Sequence, residues 1–379
     1  MAESIRERIF ASAETIVIKV GTNVLADAKG QLDRQRISEL IEQLVRLRSH
    51  GRRIALVSSG AIGAGVGQLQ LGRRPTDLPH LQACAAVGQC TLMQLYQAGF
   101  APQQIHAAQI LLTAGDVENR ARYLNVRNTI FTLWEYGCVP IINENDTVSV
   151  AEIKFGDNDH LAAIVANLLQ APLLILLTNV DGLFTADPTT DPRAERLELV
   201  EEIDRSVTEM ASVTRSTLGS GGMRSKLRAA RLATAAGSTV IMANGSVPRI
   251  LDRLSAGESL GTLFLAHGES LPAWKRWLGF TARPVGTLII DSGASRAVVE
   301  QNRSLLPVGV RKVEGQFSKG DLVRVCTMDE REIARGLTNY AAAELSRIAG
   351  QNTEQIQATL GKVPYVELIH RDNLVITSR

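Results

Sequence analysis

The stretch TIVIKV, Thr15 to Val20, is a short run of mainly β-branched residues with one lysine near its end. Strands with so little polar alternation are typical of a sheet covered on both faces. Longer helical patterns separate this run from others of the same kind, so the sequence predicts an α/β domain with a mostly parallel sheet. The further runs are RIALVSS (53–59), CVPIIN (138–143), LLILLT (173–178) and TVIMAN (239–244).

Two amphipathic helices stand out between these runs. The first is opened by Asp33 and closed by Gly51, and the second follows FGDNDHLAA, residues 155–163. Each places aliphatic residues at helical spacing on one face, which is expected to pack against the sheet. These residues are Ile37, Leu40, Ile41, Leu44 and Leu47 in the first helix and Leu161, Ile164, Val165, Leu168 and Leu169 in the second.

The α/β pattern stops near LPAWKRWLGF, residues 271–280. Short glycine-bounded strands follow, and strands of this length predict a small β-barrel. We therefore expect two domains, at 1–275 and 280–379. A chain of 379 residues is also longer than a single core usually supports.

Composition excludes several classes of protein. Hydrophobic residues make up 45% and charged residues 21% of the chain, as in ordinary globular proteins. The formal net charge of +2 gives no general argument for binding nucleic acid or anionic membranes. No stretch approaches the roughly 18 apolar residues of a membrane span. The N-terminus lacks the apolar region of a signal peptide, and the four cysteines form no C-x-x-C pair, so a cytoplasmic protein is expected.

Two common site motifs are missing. There is no G-x-x-x-x-G-K-[ST], and SSGAIGAGVGQ, residues 58–68, fails the spacing of the dinucleotide fingerprint G-x-G-x-x-G. The six histidines are scattered without metal-ligand spacing. Hydride transfer and zinc chemistry are therefore disfavoured.

Glycine-rich turns that follow strands are the feature of the sequence that indicates a binding site. Any one of them is better explained as a tight turn. Together they suggest a polyphosphate site, because glycines let backbone N–H groups approach anionic oxygens and ligands gather where strands of an open sheet end. The turns are Gly21 and Thr22 after Lys19, Gly60 after Ser58 and Ser59, and Gly219, Gly221 and Gly222 ahead of Lys226.

The segment FGDNDHLAA has two interpretations. Asp157 or Asn158 could cap the following helix, with Asp159 favourable at the positive end of its dipole. Alternatively, these residues and the preceding Asn143, Glu144, Asn145 and Asp146 could hold an ammonium group, accept hydrogen bonds from a polar substrate, or order the lysines. A small zwitterion would suit this mixture of carboxylates and amides.

Taken in order, these residues resemble the amino-acid kinase family over nearly the whole chain. The matching stretches are IVIKVGTNVL, LVSSGAIGAG, VPIINENDTV, EIKFGDND, LLTNVDGLFTADP and GSGGMRSKL. The tail, with GTLIIDSGA, SLLPVGV and GQFSKGDLVRV, resembles a PUA domain, a small β-barrel often found on RNA-modifying enzymes. The resemblance implies a three-layer sandwich around a mostly parallel central sheet, followed by that barrel.

The resemblance also implies an activity. It is the ATP-dependent phosphorylation of the side-chain carboxylate of L-glutamate, which gives L-glutamyl 5-phosphate and ADP in the first step of proline biosynthesis. Mg²⁺ would be bound mainly through the ATP phosphates, so no protein metal site is expected. The family further implies feedback inhibition by proline, a homodimer or homotetramer, and a functional link to glutamyl phosphate reductase, which would consume the labile product.

Site residues follow from the matched motifs. Lys19, Lys226 and Asp159 are the catalytic candidates, with Asp159 placed between the two ammonium groups; Ser59, Asp146 and Asn158 are candidates for binding glutamate. The role of Asp157 stays open between the substrate ammonium and a metal-bound water. The candidates for the ATP site are Lys19, Thr178, Asn179, Ser220, Gly221, Gly222, Met223, Arg224, Ser225 and Lys226, where Asn179 replaces the aspartate of some relatives and Ser220 a common threonine.

Two alternatives remain at this stage. One is an amino-acid kinase with a different acceptor. The other is an RNA-binding regulator that acts through its tail and carries a vestigial kinase domain. Residues 284–379 hold 12 Lys and Arg against 11 Asp and Glu, which weakens that case because binding to a phosphate backbone usually requires a basic face.

Overall fold

The computed structural model describes residues 4–27, 31–149, 158–213, 222–266, 272–360 and 366–377. The chain divides into two compact units, Met1–Ser270 and Leu271–Arg379. Among the described residues, no helix is both long and apolar enough to cross a membrane.

The first unit is built on an eight-stranded sheet with the order β3-β4-β2-β1-β5-β7-β8-β6. The pairs from β3 to β7 are all parallel, and β8 runs antiparallel to β7. The mostly parallel sheet expected from the sequence is therefore confirmed. The strands are β1 Thr15–Val20, β2 Arg53–Ser58, β3 Ala107–Leu112, β4 Val139–Glu144, β5 Leu173–Thr178, β6 Leu199–Val200, β7 Thr239–Asn244 and β8 Thr262–Phe264.

Helices connect these strands. The sequence places capping residues where several of them begin; Asp33, for example, accepts hydrogen bonds from two backbone N–H groups at the start of α3. The helices are α1 Ile5–Ser12, α2 Thr22–Leu25, α3 Arg34–Ser49, α4 Ala61–Gln68, α5 Leu78–Phe100, α6 Ala114–Glu118, α7 Arg120–Glu135, α8 Asn158–Leu169, α9 Arg205–Val213, α10 Met223–Ala235 and α11 Ile250–Ser255. A 3₁₀ turn, Ala101–Gln103, follows α5.

The core lies on the central strands. All residues of β1, β4 and β5 are buried. The predicted apolar face of α3 is buried as well, but α8 is more enclosed than an amphipathic helix, since every residue from Leu161 to Leu169 is buried. Its alanines let it lie close to the sheet and to α10, so the residues at its start are held firmly.

Helices α4 and α5 approach each other through glycines. A Cβ atom added at Gly88 of α5 would overlap the carbonyl oxygen of Ala61 and the backbone nitrogen of Gly65, and one added at Gly65 would overlap the carbonyl oxygen of Cys84. Backbone therefore meets backbone at this crossing, and only glycine fits at either position.

The second unit is a five-stranded sheet with the order β10-β9-β11-β12-β13 and its own apolar core. Its strands are β9 Gly286–Ile290, β10 Val310–Gly315, β11 Leu322–Cys326, β12 Glu332–Leu337 and β13 Leu374–Ile376. Its helices are α12 Ala273–Arg276, α13 Ser292–Val299, α14 Ala342–Ile348 and α15 Thr353–Leu360, with a π-helical turn at Trp277–Thr281 and 3₁₀ turns at Pro307–Gly309 and Arg371–Asn373.

Candidate active site

The candidate site lies at the carboxyl edge of the first sheet, where neighbouring parallel strands end together. The backbone joins these ends directly: Ser59 N–H donates to the carbonyl of Val20 at 3.1 Å, and Gly21 N–H donates to the carbonyl of Leu177 at 3.3 Å. The turns after β1, β2 and β5 are therefore brought side by side. In open α/β sheets, this edge is where ligands bind.

A buried carboxylate at this edge lies between two lysines. The Nζ atom of Lys19, in β1, is 2.6 Å from Oδ1 of Asp159, and the Nζ atom of Lys226, in α10, is 3.0 Å from Oδ2. The exposed fractions of the three side chains are 7%, 1% and 9% for Lys19, Asp159 and Lys226. Each carboxylate oxygen thus has its own ammonium partner.

The pKa of Asp159 lies below its ordinary value. Burial alone would raise it, but the charges of Lys19 and Lys226 and their hydrogen bonds outweigh burial and lower it. The carboxylate therefore stays ionised at neutral pH. It can hold two cations in place but is poorly suited to act as a proton donor.

The carboxamide of Asn158, at the start of α8, links two strand ends. Its Nδ2 donates to Oγ of Ser59 at 2.8 Å, to Oδ1 of Asn143 at 2.9 Å and, at a longer 3.3 Å, to the carbonyl of Ser58. Because α8 begins at Asn158, this residue lies inside the helix and is not the cap that the sequence suggested. The other suggested cap, Asp157, lies outside the described residues.

Two further amides continue this network away from the site. Asn143 donates from Nδ2 to Oε1 of Gln89 at 3.0 Å, and Gln89 donates from Nε2 to Oε1 of Gln109 at 3.1 Å. Asn143 ends up buried at the end of β4, and Gln89 is buried in α5. The sequence placed Asn143 only in a group of polar residues that could contact a substrate or order the lysines, and Gln89 lies in a helical stretch, AAVGQC, without any local sign of a site.

Two adjacent serines point in different directions at the end of β2. Ser58 is buried, and its hydroxyl oxygen is 2.8 Å from the hydroxyl oxygen of Tyr96. Burial raises the pKa of Tyr96, although the hydrogen bond with Ser58 acts in the opposite direction. Ser59 is half-buried and faces Asn158. Gly60 follows with a φ of 110°, a conformation that favours glycine and that starts α4 at this point.

The residues predicted to bind nucleotide occupy the neighbouring strand and helix. Thr178 is buried at the end of β5, and its hydroxyl donates to Oδ1 of the exposed Asn179 at 3.3 Å. Beside them, Asn244 at the end of β7 donates to Oδ1 of Asp181 at 2.9 Å. This corner therefore combines polar side chains with two strand ends.

Helix α10 begins at Met223 after Gly222, and within the described part of the chain no side-chain hydrogen bond caps its start. Backbone N–H groups at a helix start favour anions. Lys226 lies in this turn and is held by Asp159, while Met223 is buried, Ser225 is half-buried and Arg224 is exposed. Ser220 and Gly221 lie outside the described residues.

The structure thus brings Lys19, Lys226 and Asp159 into direct contact, and Ser59 into contact with Asn158. Asp146 is half-buried two residues beyond the end of β4. Within the described ranges, no group of three or more His, Cys, Asp or Glu side chains could hold a metal ion. The arrangement offers two fixed cations beside polar amide side chains at the same edge of the sheet, which suits the transfer of a charged group to a small polar acceptor.

Sequence comparison shows the family to which the chain belongs. The profile of the amino acid kinase family matches residues 14–244, and that of the PUA domain matches residues 286–360. The chain belongs to the amino acid kinase family. Among solved structures, carbamate kinase from Giardia lamblia bound to AMP-PNP aligns with a TM-score of 0.47 and 20% identity over 67% of this chain and 99% of that chain.

Curated relatives show with which members of the family the chain belongs. Glutamate 5-kinase of Pseudomonas entomophila is 48% identical over 96% of this chain and 98% of the relative. Glutamate 5-kinase of Pelobacter propionicus is 43% identical over 98% of this chain and 100% of the relative. Within the family, the chain therefore belongs with the glutamate 5-kinases and is a kinase.

Proposed function

We propose that the protein transfers the γ-phosphoryl group of ATP to the side-chain carboxylate of L-glutamate, giving L-glutamyl 5-phosphate and ADP in the first step of proline biosynthesis. The observation that carries this proposal is the buried Asp159 carboxylate with a lysine on each oxygen. The names of the curated relatives supply the acceptor.

The acceptor needs no general base. A glutamate carboxylate has an ordinary pKa of about 4.3 and is ionised at neutral pH. The barrier is instead the repulsion between this anion and the phosphates, so catalysis should rest on alignment and on stabilising charge. This requirement agrees with a site whose fixed charged groups are two lysines and a carboxylate that stays ionised.

Lys19 and Lys226 would stabilise the transferred phosphoryl group from two sides. Two ammonium groups this close would repel each other and turn towards solvent if the carboxylate of Asp159 did not hold both of them. Preorganised cations need not reorganise when charge develops in the transition state. Asp159 is thus a positioning residue, and the two lysines are the catalytic ones.

Mg²⁺ is expected to arrive on the phosphates of ATP. Both oxygens of Asp159 already contact ammonium groups, so this carboxylate fits a role towards lysines better than that of a metal ligand. The ion would neutralise phosphate charge and keep several of its waters. The two lysines would bind the phosphates that carry the ion.

The serine and amide side chains at this edge of the sheet would bind glutamate. Ser59 accepts a hydrogen bond from Asn158, so its own hydroxyl hydrogen is available to donate to a carboxylate oxygen of the substrate. Asp146, at the same edge of the sheet, would attract the substrate ammonium. Thr178, Asn179 and residues 220–226 would line the ATP site.

An acceptor assay tests the proposal. The protein is incubated with ATP, Mg²⁺ and hydroxylamine, which traps acyl phosphates as hydroxamates, and glutamate, aspartate and N-acetylglutamate are compared. Hydroxamate is expected with glutamate. Hydroxamate with aspartate or N-acetylglutamate, and none with glutamate, would assign a different acceptor to the same site.

The proposal has four further parts. Proline would inhibit the enzyme by competing near the glutamate site, and the chain would form a homodimer or homotetramer. The labile product would pass to glutamyl phosphate reductase, and the reaction would take place in the cytoplasm, which suits a chain whose four cysteines are free. Adding proline to the hydroxamate assay at several glutamate concentrations measures the first part.

A further inference from the structure

Four side-chain amides form a continuous chain from the candidate glutamate subsite, through α5, to the edge strand β3. Asn158 donates to Asn143, Asn143 donates to Gln89, and Gln89 donates to Gln109, with distances of 2.9, 3.0 and 3.1 Å. A carboxamide can be turned to exchange its donor and acceptor ends, so such a chain could run in either direction. One backbone contact decides between the two.

The backbone N–H of Glu144 donates to Oδ1 of Asn143 at 2.9 Å. A backbone N–H can only donate, so this end of the Asn143 amide must be the oxygen. Its nitrogen then faces Gln89, which must present Oε1 to it and turn Nε2 towards Gln109. On the other side, Asn158 must present Nδ2 to Asn143.

This direction fixes what faces the substrate. The two hydrogens of Asn158 Nδ2 are directed to Asn143 and Ser59, so the Oδ1 atom of Asn158 is turned away from both. Ser59 receives a hydrogen bond and can donate its own hydrogen elsewhere. The hydrogen bonds therefore leave a hydroxyl donor suited to a carboxylate and an amide acceptor suited to an ammonium, in a fixed arrangement.

Gln89 is the residue that completes this arrangement from the side remote from the substrate. Only 8% of it is exposed, and it is the acceptor that the structure gives to Nδ2 of the buried Asn143. Removing that acceptor would leave a buried donor unpaired, a cost that Asn143 can reduce only by swinging away from Asn158. We propose that Gln89 is a positioning residue for the glutamate subsite, acting through Asn143 on Asn158 and Ser59; the proposal rests on the function proposed above.

The test replaces Gln89 by methionine, which keeps the length and loses both hydrogen bonds. We expect Gln89→Met to raise the KM for glutamate about tenfold, as the loss of one buried hydrogen bond allows, and to leave the KM for ATP within about twofold. Gln94→Met, at an exposed position of the same helix, is the matched control and should change neither constant.

A second variant keeps the proposal testable if Gln89→Met does not fold. Gln109 is exposed, so Gln109→Met should fold normally and raise the glutamate KM in the same direction by about two- to threefold. On an Asn158→Ala background, Gln89→Met should add no further increase, because the residue through which it acts is already gone.

Several results would overturn the positioning role. These are an unchanged glutamate KM with a lowered melting temperature, an equal rise of both KM values, or full additivity with Asn158→Ala. A wild-type enzyme that ignores glutamate would instead refute the proposed function. The two failures are therefore distinguishable in the same assay.

Discussion

The Nζ atom of Lys226 lies 3.0 Å from Oδ2 of Asp159, so that the first turn of α10 is joined to the first turn of α8 by a buried ion pair. The two charges differ in their relation to their helices. A carboxylate is favourable at a helix N-terminus, whereas an ammonium is unfavourable there. Lys226 is therefore held at a position suited to an anionic ligand by its partner on another helix.

Asp159→Asn should impair catalysis and stability together. The change keeps the shape of the side chain but leaves two buried ammonium groups without a counter-charge. We expect kcat to fall by roughly 100-fold or more, because the lysines lose their fixed positions. We also expect a loss of about 3–5 kcal/mol in the free energy of unfolding, measured by urea denaturation, as when one partner of a buried pair is removed.

A matched control exists in α11, where Asp252 bonds to an arginine of α3. Asp252 also contacts two cations, Arg46 and Arg249, but in a more exposed setting. Asp252→Asn should cost at most about 1 kcal/mol and leave kcat unchanged. Near-full turnover of Asp159→Asn would remove Asp159 from the mechanism.

Lys226→Met should act on catalysis more than on folding. The apolar stem of the side chain is kept, while one of the two cations proposed to stabilise the transferred phosphoryl group is lost. The expected fall in kcat is roughly 100- to 1,000-fold. Arg228→Met, two residues along the same helix and exposed, is the control, and equal effects of the two changes on kcat would contradict a specific role for Lys226.

The contribution of Asp159 to stability should depend on pH in a defined direction. Its pKa is lower in the folded protein than its ordinary value of 3.8, so folding favours the ionised form. The stability that it contributes is then fully present above about pH 5 and is lost as the pH falls below 3.8 towards the folded pKa. Urea denaturation of wild type and Asp159→Asn at a series of pH values measures this contribution.

The stability difference between those two proteins should thus be constant in the neutral range and shrink in acid. A difference that grew as the pH fell would mean that the pKa of Asp159 is raised rather than lowered. It would also mean that the carboxylate is not controlled by its two lysines.

Substitutions of the two serines at the end of β2 should have different effects, one on glutamate binding and the other on stability. Ser59→Ala removes the hydroxyl that faces Asn158 and is expected to raise the glutamate KM about tenfold, with little change in the KM for ATP. Ser58→Ala removes the buried partner of Tyr96 and is expected to cost about 1–2 kcal/mol of stability with an unchanged glutamate KM. Steady-state kinetics and thermal melting of both variants measure these effects. A raised glutamate KM for Ser58→Ala, with only a loss of stability for Ser59→Ala, would contradict this prediction.

Gly88→Ala should destabilise the first unit strongly. The new methyl group would overlap the backbone of Ala61 and Gly65, and backbone cannot move aside as a flexible side chain can. We expect a loss of roughly 3 kcal/mol or more in thermal or urea unfolding. Gly72→Ala is the control, since a Cβ atom there meets nothing within 4 Å; similar losses for both variants would contradict the close approach of α4 and α5.

Much of the fold was predictable because central strands have a strong local signature. The uninterrupted apolar runs of β1, β2, β4, β5 and β7 were all found from the sequence. Strand β3, Ala107–Leu112, was missed because it lies at the edge of the sheet, is only partly buried and contains a polar Gln109. The short strands β6 and β8 depend on pairing with each other and with β7, which no local pattern reveals.

The site was predictable to the extent that its residues lie in motifs. The placement of Asp159 between Lys19 and Lys226 was expected, and the structure has this geometry, while the roles of the three residues stay predictions. Gln89 could not be found in this way. Its partner Asn143 is 54 residues away along the chain, and a single glutamine in a helix gives no sign of the contact.

The glycine crossing of α4 and α5 has a consequence for how the enzyme can open and close. Gly88 is the immediate neighbour of Gln89, and α4 starts directly after Ser59 and Gly60. With backbone packed on backbone, neither helix can slide past the other, so Gln89 in α5 and Ser59, just before α4, keep a fixed relation to each other. Any movement that admits glutamate or releases its phosphate must then come from elements outside this crossing or from movement of the α4–α5 pair as a single body.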